Sequence, residues 1–92
     1  MKILYKESFI QRFENQINYI AISNPGQAKI FKSALINRIN QVPLNPYKCR
    51  KSIYFDDICI RDLIFKGYTV VYRIEETTIR VFGFVKYQDS PI

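Results

Sequence analysis

Three strand-forming runs follow one another between residues 58 and 86 with only two-residue connections, and this spacing restricts the fold more than any other feature of the chain. Ile58-Cys-Ile-Arg-Asp-Leu-Ile-Phe65 ends at Lys66-Gly67, Tyr68-Thr-Val-Val-Tyr-Arg-Ile-Glu75 ends at Glu76-Thr77, and Thr78-Ile-Arg-Val-Phe-Gly-Phe-Val-Lys86 follows. The runs are dense in Ile, Val, Phe, Tyr and Thr, which suit a pleated surface. Connections this short cannot carry a crossover, so the runs are neighbouring antiparallel strands.

The first half of the chain has a different period. After a short apolar run at Lys2 to Lys6, Phe9, Phe13, Ile17, Ile20 and Ala21 recur at steps of three and four, the spacing of one helix face. Glu7 and Ser8 suit the start of that helix, where free amides favour oxygen and negative charge. Ser23-Asn24-Pro25 breaks it: Pro25 disfavours helical geometry at Asn24 but fits a first helical position, and Asn24 can cap the next helix. Ala28, Phe31, Leu35, Ile36, Ile39 and Val42 form a second stripe, which Pro43 and Pro46 terminate. So close a connection makes the two helices an antiparallel hairpin. A basic loop over residues 45–51 then leads to a short strand over 52–55 and a turn at Asp56-Asp57.

The expected fold is α+β in the order β-α-α-β-β-β-β, with a helical hairpin packed on one face of a mostly antiparallel sheet and the other face partly open. Alternation puts Tyr68, Val70, Tyr72 and Ile74 in one row and Thr69, Val71, Arg73 and Glu75 in the other. In the last strand Ile79, Val81, Gly83 and Val85 oppose Arg80, Phe82, Phe84 and Lys86. The rows with Arg73, and with Arg80 and Lys86, are expected on the open face. The run containing Arg61 and Asp62 is apolar on both sides, so its orientation stays open.

A chain of 92 residues makes one domain with one core and no room for a deep enclosed pocket. Fourteen Lys and Arg against eight Asp and Glu give a net charge of +6. No acid occurs between Asn15 and Phe55, where Lys29, Lys32, Arg38, Lys48, Arg50 and Lys51 all fall. Such a surface attracts phosphate backbones or an acidic protein. Cys49 and Cys59 are too few for a disulfide framework, and Lys6 and Glu7 interrupt the N-terminal apolar run too early for a signal peptide. No run reaches the length of a membrane span. A reducing cytoplasm, free thiols and no membrane partner are the expectation. Asp56-Asp57 has no companion ligands and reads as a turn, so neither a metal nor a cofactor is expected.

Ile3-Leu4-Tyr5, Asn24-Pro25-Gly-Gln-Ala28, Ile60-Arg61-Asp-Leu63 and Gly67-Tyr68-Thr-Val-Val-Tyr72-Arg-Ile74, in this order and spacing, resemble the RelE/ParE superfamily of type II toxin–antitoxin toxins over nearly the whole chain. The resemblance implies the same element order and a cognate antitoxin protein as partner. It also implies one of two targets: the ribosome, where mRNA is cleaved, or DNA gyrase, which ParE-like toxins inhibit. Cleavage needs a base for the ribose 2′-OH, cations about the phosphate and an acid for the leaving oxygen. Arg61, Arg73, Arg80, Lys86 and Tyr87 are the candidates, with Lys48, Arg50 and Lys51 beside Tyr47 as a backbone-contacting loop. The chain departs from RelE-like members in having no histidine, in carrying Thr69 where many have Arg, and in a base-rich tail reduced to Lys86 and Tyr87.

Each candidate also has a plainer role. Arg61 can pair with a strand carboxylate, Arg73 and Arg80 with Glu75 or Glu76 across the turn, and Tyr87 can serve as a packing residue. Ribosome-dependent mRNA cleavage is the leading expectation. Gyrase inhibition without catalysis is the alternative, and a non-toxic basic module that only pairs with an antitoxin is the third reading.

Overall fold

The computed structural model describes residues 1–86. Strand β1 (Lys2–Tyr5) leads into α1 (Glu7–Ser23) and α2 (Pro25–Gln41), and a single 3₁₀ turn (Val42–Leu44) ends the helical part. Then come β2 (Arg50–Lys51), β3 (Ile60–Phe65), β4 (Tyr68–Ile74) and β5 (Thr78–Lys86). The five strands form one sheet in the order β1-β5-β4-β3-β2, antiparallel except that β1 runs parallel to β5 at the edge. The chain therefore has the expected α+β fold, with two helices on one side of a mostly antiparallel sheet.

Local chemistry accounts for the element boundaries. The Asn24 side chain accepts from the Gln27 amide at 3.0 Å while its own amide closes α1 onto the Ile20 carbonyl at 2.9 Å, so one residue finishes one helix and opens the next. Pro25 occupies the first turn of α2. Lys66 and Gly67 both take positive φ, 48° and 83°, the geometry of the tight hairpin turn whose twist matches its strands.

Phe9 and Phe13 of α1 and Phe31, Leu35 and Ile39 of α2 pack on Leu63, Phe65, Val70, Tyr72, Ile74, Ile79, Val81 and Phe84 of the sheet. Phe84 is the hub of an aromatic cluster. It stacks on Tyr68 with centroids 5.2 Å apart and meets Phe9 and Phe13 edge-on at 5.9 and 5.7 Å.

That position corrects the alternation read from the sequence. Pairing runs Tyr72 to Val81 but Val71 to Gly83, so Phe82 is an extra residue and β5 carries a bulge. Before it, Ile79 and Val81 face the helices; after it, Phe84 and Lys86 do. Lys86 is thus not on the face that holds Arg80. Packing drives the slip: without it Phe84 leaves the core and a glycine enters. The bulge brings the Gly83 backbone close to the Val71 side chain, since a Cβ on Gly83 would lie 2.9 Å from that of Val71.

Two further expectations need correction. Residues 52–55 form no strand; β2 is the two-residue Arg50–Lys51, and β3 starts at Ile60 rather than Ile58. The ladder ends because side chains compete for the backbone: Asp62 Oδ2 accepts from the Ile53 amide at 3.1 Å and Ser52 Oγ from that of Tyr54 at 3.1 Å. The segment 52–59 then crosses the sheet on the side away from the helices. The Phe55 ring meets Phe82 edge-on at 5.5 Å, and Asp57 pairs with Arg73 at 3.2 Å. Ile60, Thr69 and Val71 on this face are buried. The face expected to be open carries a strap.

Replacing Gly83 by Ala should lower unfolding stability by about 1–3 kcal/mol, because Val71 cannot retreat from the new methyl. Asn24→Ala should cost about 1 kcal/mol through the lost cap. Chemical denaturation of both variants reads the two effects.

Candidate functional site

Cross-strand partners share a face, and the register assigns each candidate. Arg73 is opposite Arg80, and both lie on the strap side with Ile60. Two guanidiniums side by side would repel, and each has its own carboxylate. Arg73 Nη1 is 3.2 Å from Asp57 Oδ2, whereas Arg80 grips Glu75 with two bonds, Nε to Oε2 at 3.0 Å and Nη2 to Oε1 at 3.3 Å. The Glu75 pairing holds the Arg80 guanidinium above its ordinary pKa. The plainer reading of Arg80 is therefore the observed geometry, and Arg73 finds Asp57 instead of the turn glutamates.

Arg61 is on the other face, in the row of Tyr72 and Val81. Among the described residues it pairs with no carboxylate: Nε donates to the Ile58 carbonyl at 2.9 Å, Nη1 to that of Cys49 at 3.2 Å, and the guanidinium lies 4.8 Å over the Tyr47 ring. Arg61 thereby ties together both ends of the segment between Cys49 and Ile58. Lys86 lies at the far end of the helix-facing rows, its Nζ 5.6 Å over the ring of Tyr19 in α1. Tyr87 lies outside the described residues. Among the described candidates the fold thus brings together Arg73 and Arg80 and separates Arg61 and Lys86 from them.

The basic loop is equally engaged. Arg50 holds Asp62 through Nε and Nη2 at 3.4 and 3.2 Å, and Lys51 meets Asp56 at 3.0 Å. Lys48 lies on the rim of a cleft of about 420 Å³ between the end of α2 and the edge of β3, with Arg38, Leu44, Cys49, Asp62 and Ile64 among its walls. A second cleft of about 300 Å³ opens under the strap between Tyr54, Phe55, Phe82, Val85 and the α1 residues Ser8 and Arg12.

Tyr5, Tyr47 and Tyr72 hold their protons more tightly than a free tyrosine. Burial pushes the Tyr72 hydroxyl far above the ordinary range, and it donates to the Pro46 carbonyl at 2.6 Å. Burial also raises Tyr5, and the hydroxyl of Tyr47 is raised by its contact with the Cys59 thiol. None of these three is poised to take a proton at neutral pH.

Asp62 is the residue that sequence reasoning placed without a role. Its side chain is 0% exposed, Oδ2 serves both Arg50 and the Ile53 amide, and Oδ1 has no hydrogen-bond partner among the described residues. A lone acid in an apolar strand was the available signal.

Fold and charge together define a small basic domain with a strapped sheet. The solved structure of a chromosomal ParDE toxin–antitoxin system from P. aeruginosa has the same fold, with a TM-score of 0.79 over 96% of this chain and 97% of that one at 8% identity. No curated protein matches the sequence. The family model for the ParE toxin of the type II toxin–antitoxin system parDE matches residues 3–89, and the chain belongs to that family. No helix among the described residues is long and apolar enough to cross a membrane.

Asp62→Ala should destabilise the fold by about 1–3 kcal/mol, since it removes a buried carboxylate that accepts from the Ile53 amide and from Arg50. Asp56→Ala removes only an exposed pair with Lys51 and should change stability by less than about 1 kcal/mol. Thermal unfolding of the two variants separates the cases.

Proposed function

We propose that this chain is the toxin of an antitoxin-neutralised pair and that it acts by binding its target, DNA gyrase, instead of cutting RNA. The observation that carries this reading is the division of the cationic candidates between two faces. Phosphodiester cleavage asks for several groups within reach of one phosphate. Here Lys86 rests against Tyr19 on the helix side, and Arg61 is fastened to main-chain carbonyls. Arg73 and Arg80 are each occupied by a carboxylate on the opposite side. A binding toxin needs no such convergence. Family membership supports the antitoxin as partner, and the excess of positive charge suits an acidic one.

One feature favours the other reading, ribosome-dependent mRNA cleavage. Arg73 and Arg80 are direct cross-strand neighbours, and half-exposed ion pairs are weak enough for a phosphate to displace their carboxylates. In that case Arg61, Lys86 and Tyr87 contribute from outside the pair, and Lys48, Arg50 and Lys51 hold the RNA backbone.

Induced expression should arrest growth with filamentous cells and an intact message pool, and the purified protein should inhibit supercoiling by gyrase. Lys86→Ala should leave the arrest unchanged. Ribosome-dependent cuts at codons, abolished by Lys86→Ala or Arg80→Ala, would overturn the proposal in favour of the nuclease. An absence of arrest at any expression level would leave only the non-toxic, antitoxin-pairing module.

A further inference from the structure

We infer that the cleft beneath the strap is where this protein grips its target, taking an aromatic side chain of gyrase together with a carboxylate two positions along the same segment. This inference rests on the gyrase reading above and names the surface involved.

The strap itself displays the chemistry that this face accepts. Phe55 sets its ring edge-on to Phe82 at 5.5 Å, and Asp57, two positions on, brings Oδ2 to 3.2 Å from Arg73. The ends of the segment are fastened by main-chain bonds, Ser52 amide to Ile60 carbonyl at 2.8 Å and Ile74 amide to Cys59 carbonyl at 2.7 Å. Between those fixed ends the strap leaves space unfilled, the cleft of about 300 Å³ that opens towards α1.

The walls choose the guest. Tyr54 and Phe55 of the strap face Val71, Phe82 and Val85 of the sheet across the opening. This volume is at the lower end for a small-molecule pocket, so it suits one side chain carried by a protein surface. Three aromatic walls favour an aromatic guest, which can meet each ring edge-on or offset. Beside the cleft Ile53, Tyr54 and Ile58 are 67%, 48% and 65% exposed, an apolar rim that a partner would cover.

Charge fixes what accompanies the ring. Arg12 stands at the mouth of the cleft, and among the described residues it pairs with no carboxylate, unlike Arg50, Arg73 and Arg80. Ser8, four positions earlier on the same face of α1, adds a hydroxyl donor. No acid lines the cleft among the described residues, so a carboxylate entering with the ring meets only attraction. A buried ring with a guanidinium-bound carboxylate next to it has the composition of an interface hot spot.

The test uses the full-length protein with purified gyrase. Arg12→Glu reverses the charge at the mouth and Ser8→Trp blocks the opening, both at exposed helix positions. Each should raise the concentration that half-inhibits supercoiling by about tenfold or more, with the thermal unfolding temperature unchanged. If the parent protein inhibits gyrase and both variants inhibit it equally well, the cleft is overturned and the gyrase reading stands. A second measurement does not depend on gyrase: a capped tripeptide with phenylalanine first and aspartate third is titrated into the labelled protein. The Val85 and Arg12 amide resonances should shift saturably, and Arg12→Glu should abolish the shift. A parent protein that leaves gyrase uninhibited yet shows this titration would overturn gyrase as the source of the guest while upholding the site. Absence of the shift would overturn the site itself.

Discussion

The bulge at Phe82 is a single inserted residue, yet the arrangement of both sheet faces depends on it. It lets β5 present Ile79, Val81 and Phe84 to the helices although strict alternation would not allow that set. Phe84 then joins Phe9, Phe13 and Tyr68 in the aromatic cluster that fastens α1 to the sheet. On the other side Phe82 remains free to meet Phe55 and hold the strap. Gly83 is the condition for this, since only a residue without a side chain allows Val71 so close.

Local signals made much of the fold legible in the sequence. The two helical stripes, the Asn24-Pro25 junction, the Lys66-Gly67 turn and the three C-terminal strands each rest on residues close together in the chain, and each is where its chemistry puts it. The bulge was not legible. Either register of β5 reads as a plausible strand, and the choice is made by how well Phe84 fills a space between two helices. The strap was hidden for a related reason. Ile53, Tyr54 and Phe55 look like strand residues, but Asp62, nine positions later than Ile53, takes the amide that a ladder would have used.

The candidate site shows the same division. That Arg73 and Arg80 sit together, and that Arg80 has a turn glutamate, results from strand order and a short connection. The partner of Arg73 comes from the strap and depends on its unforeseen path. Arg61 likewise spends its hydrogen bonds on main-chain carbonyls, a use that residue type alone does not announce. Positive charge on a sheet is a weak guide to catalysis when nearby carbonyls and carboxylates can absorb it.

The position of β5 has a consequence for how the molecule comes into being. β5, the last of the described strands, is an interior one, flanked by β1 on one side and by β4 on the other. Until β5 is in place, α1 lacks the Phe84 ring it packs against and β1 lacks the strand it pairs with. Closure of the sheet therefore joins β1 and β5 across more than seventy residues, a non-local pairing that forms late in folding.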